Sequence, residues 1–362
     1  MKVIVHFIYR LDIGGLEQVL LQTILGLPKY KHVIISLTSK TNFSDNFESS
    51  VDIICLNKRP GNSLGVYFQV YKLLQSIKPD VFHSYNLAGI EFQPVAFLAC
   101  IKKRVQSEHG TGTKYFHQVS KVHNFIRFVC SKFCHQIITV NESLALWLKQ
   151  DVYVKPDKIQ LIANGIDINK YHKSGLTRNT NSNNIRFGSV ARLAPEKDQS
   201  TLIRGFAHLL SLPDLPEKEL SLDIWGDGPL KGELVNLCRD LGVLDKVNFK
   251  GVTNNVPQAL AQLDIFVLSS SSEAMPMTIL EAMASSLPII STRVGNIPEH
   301  ISNSKAGAIV EVGNIHQLAE AMLVFAKNTE HRLTTGVLAQ KYAKKTFDQE
   351  KMLASYDDIY SI

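Results

Sequence analysis

Short runs rich in β-branched residues alternate with helical patterns along the whole sequence, and this alternation constrains the fold more than any other feature. Seven such runs in the first half predict strands: KVIVHFIY, KHVIISLT, VDIICL, DVFHSY, KRVQSEH, QIITV and KIQLIA. Six follow in the second half: IRFGSVA, ELSLDIWG, KVNFKG, IFVLSS, PIIST and GAIVE. Because strands that alternate with helices form parallel sheets with right-handed crossovers, the sequence predicts an α/β fold with two doubly wound sheets.

A polar stretch separates the two sets of predicted strands. NGIDINKYHKSGLTRNTNSNN ends in four Asn or Ser residues, a composition typical of a linker. We therefore predict an N-terminal domain over 1–175, a C-terminal domain over 176–345, and a helix within 346–362 that packs back towards the N-terminal domain. Two such domains facing each other across a cleft would bind a ligand there, at the carboxyl ends of their strands.

The composition is that of a soluble globular protein. Of the 362 residues, 45% are hydrophobic and 20% are charged. The sequence has no uncharged apolar run of about eighteen residues, the length that a membrane-spanning helix requires. The N-terminal MKVIVHFIYRLDIGG becomes charged too early for a signal peptide and fits a first strand. We expect a cytoplasmic protein.

The five cysteines contain no CxxC pair and no zinc-ligand spacing. Cys130 and Cys134 lie one helical turn apart beside His135, which leaves a metal interpretation open. Small buried apolar side chains are the explanation that we favour for these cysteines, so no metal site is predicted.

Positive charge is concentrated in the first half of the chain. Residues 1–175 contain 21 Lys and Arg against 12 Asp and Glu, whereas residues 176–362 contain 18 against 21. An excess of this kind suggests an anionic partner, such as a membrane surface, a phosphorylated lipid or nucleic acid. We do not expect nucleic acid, since the basic residues are dispersed and no recognised binding module appears.

One basic stretch, TKYFHQVSKVHNFIRFVCSKFCHQ, is also rich in aromatic residues. Its cations are Lys114, Lys121, Arg127 and Lys132. A basic amphipathic helix can lie on anionic lipid. The alternative is a solvated basic face above an aromatic stripe that points into the core.

The stretch SSSSEAMPMTILEAMASSLPII places Glu273 and Glu281 at the start of an apolar segment. We predict a helix over about 276–285, begun by Pro276, with Glu273 in the loop before it and Glu281 in its second turn. The two carboxylates would lie roughly 12 Å apart. The N–H groups of residues 274–277 could bind phosphate between them, so that both carboxylates hold hydroxyl groups on either side of a diphosphate. The alternative is a solvated loop residue and a surface charge.

Three further motifs follow predicted strands of the second half. Arg192 and Lys197 lie in a loop that Asp198 ends as a helix N-cap, where they could neutralise a diphosphate or simply be exposed. Gly226 and Gly228 predict a tight turn that lets a nucleotide lie against the backbone. Residues 252–256 would then lie near its base.

The first half contributes two weaker motifs. Gly14 and Gly15 end the first strand and open a helix, so their N–H groups could meet phosphates from the opposite side. His109, at the end of another strand, could hydrogen-bond a sugar hydroxyl or the reacting centre. A glycine pair in a turn and a lone histidine are both common in purely structural roles.

Taken together, these motifs resemble the retaining glycosyltransferases of family 4, which have two Rossmann-like domains in the GT-B arrangement. The resemblance covers nearly the whole chain and includes GGLE at 14–17, HG at 109–110, NGID at 164–167, GSVARLAPEKDQSTLIRGF, GDGP at 226–229 and SEAMPMTILEAMASSLPIISTRVGNIPE. It implies a hexosyltransferase that moves a sugar from a nucleotide sugar to a glycan or polyprenyl-diphosphate-linked acceptor in surface polysaccharide biosynthesis. Family members need no metal, and this sequence contains no Asp-x-Asp triplet.

The resemblance also implies roles for individual residues. Glu273 would contact the donor sugar, Glu281 the ribose, and Arg192 with Lys197 the diphosphate. The implied catalytic residues are His109, Glu273, Arg192 and Lys197. The implied donor-binding residues are Gly14, Gly15, Arg192, Lys197, Gly226, Val252, Asn254, Glu273, Ala274, Met275, Pro276, Met277, Thr278 and Glu281. The implied acceptor-binding residues are Glu17, His109 and Lys114.

The sequence departs from the family pattern at three places. Ala274-Met275 replaces the usual Gly-Phe, Ser285-Ser286 replaces Cys-Gly, and Asn296 replaces a glycine whose backbone angles Asn tolerates better than most residues. None of these changes removes a charged group, so they bear on sugar specificity more than on activity.

Donor and acceptor remain to be chosen within the family. Thr253, Asn254 and Asn255 stand in the base loop where guanine readers often place an Asp, so a UDP-sugar is favoured over a GDP-sugar. The basic first half suits an anionic, lipid-linked acceptor at the inner face of the cytoplasmic membrane. Two alternatives stay open: a sugar-nucleotide epimerase of the same fold, and a catalytically silent relative.

Overall fold

A computed structural model describes residues 1–12, 14–47, 51–58, 61, 64–110, 119–175, 183–273 and 275–361. The chain divides into two compact units, one of Met1–Gly165 with Gln349–Ile362 and the other of Ile166–Asp348. We call them the N-terminal and C-terminal units. The boundary predicted near residue 175 was placed too late, because the helix Ile168–Gly175 packs on helices of the C-terminal unit.

The N-terminal unit is built on a seven-stranded parallel sheet with the order β3-β2-β1-β4-β5-β6-β7. All seven predicted strands are confirmed: β1 (Val3–Ile8), β2 (Lys31–Ser36), β3 (Asp52–Cys55), β4 (Val81–Tyr85), β5 (Lys103–Glu108), β6 (Gln136–Thr139) and β7 (Ile159–Leu161). Its described helices are α1 (Gly15–Gly26), α2 (Leu64–Ile77), α3 (Asn86–Ile90), α4 (Gln93–Leu98), α5 (Lys121–Ser131) and α6 (Glu142–Gln150).

The C-terminal unit begins with helix α7 (Ile168–Gly175) and contains a six-stranded parallel sheet in the order β10-β9-β8-β11-β12-β13. The six predicted strands are again confirmed: β8 (Asn184–Val190), β9 (Glu219–Trp225), β10 (Val247–Gly251), β11 (Ile265–Leu268), β12 (Ile289–Thr292) and β13 (Gly307–Val310). The other described helices are α8 (Gln199–Ser211), α9 (Lys231–Asp240), α10 (Val256–Ala261), α11 (Met277–Ala284), α12 (Ile297–Ser304), α13 (Ile315–Lys327) and α14 (Thr329–Thr346).

Apolar side chains of the strands pack against the helices in each unit. In the N-terminal unit, Phe7, Phe82 and Phe92 form an aromatic cluster. The ring centroid of Phe7 lies 5.6 Å from that of Phe82 and 4.4 Å from that of Phe92. In the C-terminal unit, Phe187 of β8 meets Phe206 of α8, and both are fully buried. These cores fix the sheets, so that the loops at the carboxyl ends of the strands have a rigid base.

The strand orders locate the loops that matter for binding. In the N-terminal sheet the chain order reverses between β1 and β4, and in the C-terminal sheet it reverses between β8 and β11. Ligands of doubly wound sheets bind at the carboxyl ends of strands beside such reversals. A ligand is therefore expected at the loops after β1, β8 and β11.

Residues 349–362, from the segment predicted to form a C-terminal helix, belong to the N-terminal unit. Helix α15 (Gln349–Ser361) buries Met352, Tyr356 and Tyr360. Asp357 accepts hydrogen bonds from Lys29 Nζ and Tyr30 Oη at 2.7 Å each, and Lys2 Nζ donates to the Ser361 carbonyl at 2.6 Å. The two ends of the chain thus complete one unit.

Buried histidines connect α15 to the sheet. His83 Nδ1 lies 2.7 Å from Tyr360 Oη, and His83 Nε2 lies 2.7 Å from Ser107 Oγ. Next to them, His32 Nε2 donates to the Leu27 carbonyl, so its Nδ1 accepts from His6 Nε2 at 3.0 Å. His6 Nδ1 must then accept from Tyr85 Oη, 2.9 Å away. The network leaves His6 and His32 neutral.

We predict that the N-terminal unit loses stability as pH falls below about 6.5. Burial lowers the pKa of five histidines of this unit, which are His6, His32, His83, His109 and His135. Unfolding exposes them, so the unfolded chain binds more protons below pH 6.5, at roughly 1.4 kcal/mol per pH unit for each histidine. Two buried acids with raised pKa, Glu17 and Glu108, act in the opposite direction and only partly offset this effect.

The measurement is the free energy of unfolding between pH 7.5 and 5, followed by Trp147 fluorescence in a Trp225→Phe background. His123, exposed on α5, supplies the control, since His123→Asn should leave the pH dependence unchanged. A flat profile would contradict the neutral histidine network.

Candidate functional site

The loop after β8 is held against the segment after β11. The 3-10 turn Pro195–Lys197 carries both contacts: Ser271 N donates to the Glu196 carbonyl at 2.8 Å, and Ser269 Oγ donates to the Lys197 carbonyl at 3.0 Å. Asp198 then begins α8 as its N-cap, accepting from Thr201 N, as the sequence predicted. The serine-rich run thus fixes the backbone of Lys197.

Lys197 and Glu273, both predicted site residues, form an ion pair. Lys197 Nζ lies 2.6 Å from Glu273 Oε1, and Ser270 Oγ donates to the same oxygen at 2.7 Å. Ser270 is itself fully buried, and its carbonyl accepts from Thr292 Oγ1 of β12 at 2.6 Å. The carboxylate is therefore oriented by two donors through one oxygen. Sequence reasoning assigned no role to Ser270 or Thr292.

Arg192 lies at the same end of β8 and is exposed. Its carbonyl accepts from Gln199 Nε2 at 2.9 Å, which holds the backbone. Within the described part of the chain, its guanidinium has no hydrogen-bond or ion-pair partner. Arg192 and Lys197 thus place two cations on one loop, one unpaired and one paired with a carboxylate.

The two glycines after β9 lie where the β9 loop meets the β8 loop. Gly226 adopts φ +133°, and a Cβ atom there would lie 1.8 Å from the Ala191 carbonyl oxygen. A Cβ on Gly228 would lie 2.3 Å from the Leu193 carbonyl oxygen. The space beside the Cβ positions of both glycines is filled by the chain's own β8 loop, so they allow two loops to approach closely. The nucleotide contact at Gly226 stays a prediction.

Helix α11 begins one residue later than predicted, with Pro276 as its N-cap instead of its first residue. No described side chain caps this helix. Ile279 N donates to the Pro276 carbonyl at 3.1 Å, whereas the N–H groups of Met277 and Thr278 have no partner among the described residues and are left for an anion or solvent. Met275 is buried at this end. Ala274 lies outside the described residues.

The family departures near α11 have simple backbone consequences. Ser286, in place of the usual glycine, adopts φ +56° just after the helix. Unusual backbone angles were expected at Asn296, but its φ is an ordinary −96°. The left-handed conformation is adopted by Gly295, with φ +54°.

Glu281, in the second turn of α11, is buried with 7% of its surface exposed. Tyr171 Oη of α7 donates to Glu281 Oε1 at 2.8 Å. Burial raises the pKa of Glu281 to about 7, although the Tyr171 hydrogen bond and the charge of Lys170 act to lower it. The prediction missed Tyr171, which lies in the stretch interpreted as a linker.

The predicted base loop follows the edge strand β10. Val252 is 57% exposed, and Asn254 is exposed beside it. Asn255 caps α10 by accepting from Gln258 N at 3.1 Å. The loop therefore has a fixed end and an exposed apolar side chain, and its assignment to a base stays a prediction.

In the N-terminal unit, the predicted glycine pair lies at the start of α1. Gly14 is the N-cap, and a Cβ there would lie 2.4 Å from Glu17 Oε2, because the Glu17 carboxylate folds back over it. Burial raises the pKa of Glu17 to about 7. Gly15 is exposed in the first turn. A carboxylate, rather than open backbone, therefore lies beside Gly14.

His109 follows β5, and its backbone N–H donates to Asn86 Oδ1 at 2.8 Å. Burial lowers the pKa of His109 to about 4, so the imidazole is neutral at pH 7. Its Nε2 is buried and has no hydrogen-bond partner among the described residues. Lys114, the predicted acceptor contact, lies outside the described residues.

The predicted basic surface of α5 needs one correction. Arg127 is 1% exposed, pairs with the buried Glu108 at 3.2 Å, and stacks on Trp147 with 4.9 Å to the ring centroid. It therefore belongs to the interior. Phe125, by contrast, is 64% exposed.

Two family models match this sequence and together span most of it. The model "Glycosyltransferase Family 4" matches residues 13–170, and "Glycosyl transferases group 1" matches residues 177–342. The chain belongs to glycosyltransferase family 4. The predicted family, and the prediction of two Rossmann-like doubly wound domains, are confirmed.

This glycosyltransferase is similar to several bacterial enzymes. It is 29% identical to N-acetyl-alpha-D-glucosaminyl L-malate synthase of Bacillus anthracis, over 86% of this chain and 82% of that one. It is 25% identical to an Escherichia coli enzyme, UDP-Gal:alpha-D-GlcNAc-diphosphoundecaprenol alpha-1,3-galactosyltransferase, over 93% of both chains. Among solved structures, Anabaena HepE in complex with UDP-glucose has the same GT-B fold, with a TM-score of 0.84 at 20% identity and full coverage of both chains.

The described residues include neither a cluster suited to a metal ion nor a helix suited to crossing a membrane. Within the described ranges, no three His, Cys, Asp or Glu residues are grouped so that they could hold a metal ion. Nor does any helix there have both the length and the apolar character to cross a membrane. The predicted metal independence stays a prediction.

We predict that Gly226→Ala destabilises the C-terminal unit by about 3 kcal/mol or more. The new methyl group would overlap a backbone oxygen and sit at a left-handed φ. Thermal and urea unfolding measure the loss. Gly232→Ala is the control: nothing lies within 4 Å of its Cβ position on α9, and alanine favours the helix, so stability should be unchanged or higher by about 0.5 kcal/mol. Equal effects of the two substitutions would contradict the close approach.

Proposed function

We propose that this glycosyltransferase transfers a hexose from a UDP-sugar to a lipid-linked glycan acceptor, with retention of the anomeric configuration. The observation that supports this most is the arrangement at the carboxyl ends of β8 and β11. There, Lys197 pairs with Glu273 beside the uncapped start of α11, in the loops where family motifs predict the donor. Cations, an oriented carboxylate and free N–H groups match the groups of a nucleotide-diphosphate sugar.

Lys197 and Arg192 are assigned to the leaving diphosphate. As the sugar–phosphate bond breaks, negative charge grows on the diphosphate, and fixed cations stabilise it. In this assignment, Lys197 Nζ exchanges part of its contact with Glu273 for a phosphate oxygen. Glu273, still held by Ser270, keeps its other oxygen for sugar hydroxyls. Because protein cations supply the positive charge, we propose that no metal is needed.

The donor base and the acceptor are chosen from sequence and relatives. Thr253, Asn254 and Asn255 offer hydroxyl and amide groups, without the Asp expected of a guanine reader. The Escherichia coli relative is named for a UDP-sugar and for a diphosphoundecaprenol acceptor, and HepE was solved with UDP-glucose. An acceptor of that kind carries a diphosphate, which suits the basic excess of the N-terminal unit.

We expect purified protein to bind UDP and UDP-hexoses in preference to GDP and GDP-hexoses, with EDTA present. A thermal-shift titration measures this, because a ligand that binds only the folded protein raises its melting temperature. Transfer to a synthetic polyprenyl-diphosphate-linked sugar, with the anomer assigned by NMR, then tests the reaction. Production of an epimerised UDP-sugar without acceptor would favour the epimerase alternative, and no nucleotide binding would favour the silent relative.

Lys197→Ala should lower kcat for transfer by roughly 100-fold or more, since it removes charge from the leaving group. The control is Lys327→Ala, which removes an exposed lysine paired with an exposed aspartate on the same unit. Circular dichroism and melting temperature would establish that both variants fold. Normal turnover by Lys197→Ala would refute the phosphate assignment.

The acceptor suggests that the N-terminal unit works at an anionic membrane, on its cytoplasmic side. Helix α5 has an exposed face on which apolar and basic side chains alternate; we call it the α5 face, and its members are Lys121, Val122, Phe125, Val129 and Lys132. Apolar groups that enter the headgroup region, flanked by lysines, are typical of helices that lie in the membrane interface.

Phe125→Glu should weaken binding to vesicles containing phosphatidylglycerol by about tenfold, because it replaces an apolar side chain on the α5 face by an anion. Vesicle co-sedimentation at fixed salt measures this. The control is Val324→Glu, which changes an exposed apolar residue of α13 in the other unit. Equal binding by wild type and Phe125→Glu would leave α5 as an ordinary solvated helix.

A further inference from the structure

The hydrogen bond between Tyr171 and Glu281 joins two helices. Glu281, the second glutamate of the family motif, lies on α11, and Tyr171 lies on α7, which precedes the C-terminal sheet. Tyr171 is 6% exposed and Glu281 is 7% exposed, so water does not satisfy either group in full. Their oxygens lie 2.8 Å apart, and α7 packs on both α10 and α11. The contact joins residues 110 positions apart in the chain.

The direction of this hydrogen bond is fixed by chemistry. Burial, followed by the charge of Glu281, raises the pKa of Tyr171 well above its ordinary value, so the phenol keeps its proton and donates it. Glu281 Oε1 accepts. Among the described residues, Glu281 Oε2 has no hydrogen-bond partner. It is also not one of the fully buried polar atoms without a partner, so this oxygen is accessible. One carboxylate oxygen is therefore taken, and the other is left for a ligand.

We propose that Tyr171 is a positioning residue, whose hydroxyl orients the Glu281 carboxylate to accept the ribose hydroxyls of the nucleotide donor. This inference rests on the proposed function, since it needs a nucleotide at the start of α11. A phenylalanine at this position would fill the same space between α7 and α11 but would leave the carboxylate free to turn. The hydroxyl therefore serves the carboxylate and adds little to the packing.

The arrangement has a consequence for ligand discrimination. A carboxylate that accepts from the 2′-hydroxyl should bind a ribonucleotide more tightly than its 2′-deoxy analogue, because the analogue leaves a buried acceptor unpaired. It must also be ionised to accept two hydroxyls well. Hydrogen bonds from Tyr171, together with the nearby charge of Lys170, lower the pKa of Glu281 against the effect of burial, and so favour the ionised form near neutral pH.

Among the described residues, few charged groups affect Glu281. Lys170 lies on α7 with Tyr171, and Asp167, just before α7, adds to the raised pKa of Tyr171. On α10, α14 and β12, which also pack on α11, no described titratable side chain perturbs the pKa of Glu281. Loss of the Tyr171 hydroxyl should therefore raise the pKa of Glu281.

The test compares the dissociation constants of UDP and 2′-deoxy-UDP, measured by calorimetry from pH 6 to pH 8.5. Their ratio cancels the titration of the diphosphate, which both ligands share. For wild type we expect UDP to bind about tenfold more tightly at pH 8, with the preference falling below pH 7. In Tyr171→Phe the preference for UDP over 2′-deoxy-UDP should fall about threefold or more at pH 7.5. As the pH is lowered, this variant should lose its preference at a higher pH than wild type does.

Two further variants make the outcome unambiguous. Glu281→Gln, which keeps the shape of the side chain, should abolish the pH dependence of the ratio. Tyr342→Phe is the matched control, since its hydroxyl hydrogen-bonds His300 at 3.0 Å elsewhere in the same unit, and it should behave as wild type.

The results separate this inference from the proposed function. If wild type binds neither UDP nor GDP, the proposed function fails and the inference fails with it. If UDP binds but Tyr171→Phe keeps the wild-type ratio and its pH dependence, the positioning role of Tyr171 is wrong while the donor assignment stands. If Glu281→Gln also keeps the ratio, Glu281 does not bind the ribose.

Discussion

The contact between the β8 loop and the segment after β11 determines the rest of the C-terminal site. Ser269 and Ser271 bind the carbonyls of Lys197 and Glu196, while Ser270 donates to Glu273. Two loops that are far apart in sequence thus hold a cation and a carboxylate 2.6 Å from each other. Hydroxyl groups are suited to this task because they are short, neutral and able to bond backbone carbonyls without bringing in another charge. Preorganised charge of this kind avoids reorganisation when a diphosphate leaves.

The two carboxylates of the motif are held away from solvent in two different ways. Glu273 is neutralised by a lysine, whereas Glu281 is held by a neutral phenol and has a pKa raised to about 7. An ion pair costs less to bury than a lone carboxylate, but it also removes charge that a ligand could use. The weaker partner at Glu281 leaves more of the carboxylate's hydrogen-bonding capacity for an incoming hydroxyl. The two glutamates of one motif therefore lie in environments suited to different ligands.

The sequence predicted the strands well and the side-chain partners poorly, for physical reasons. All thirteen strands follow from runs of β-branched residues whose burial decides the sheet. The helix of Glu281 was found within one residue at each end, because a proline and a small-residue stretch mark its limits. Tyr171 and Ser270 were missed because no periodic pattern encodes their contacts. Tyr171 contacts Glu281, 110 residues away in the chain, and Ser270 contacts Glu273, 3 residues away. Arg127 was misplaced on the surface, because only the fold reveals the buried Glu108 that compensates its charge. The domain boundary was late because a polar composition hid a packed helix.

The position of α15 has a consequence for how the chain is made. Tyr360 and His83 are separated by 277 residues, yet they lie in one unit, and the last helix closes on the first strands. When strands β1 to β7 have left the ribosome, Tyr360, whose hydroxyl lies against His83, has not yet been synthesised. The C-terminal unit, whose residues are continuous, can fold before α15 is synthesised, whereas the N-terminal unit cannot be completed until then. A chain that stopped before α15 would therefore have a finished C-terminal unit and an unfinished N-terminal unit.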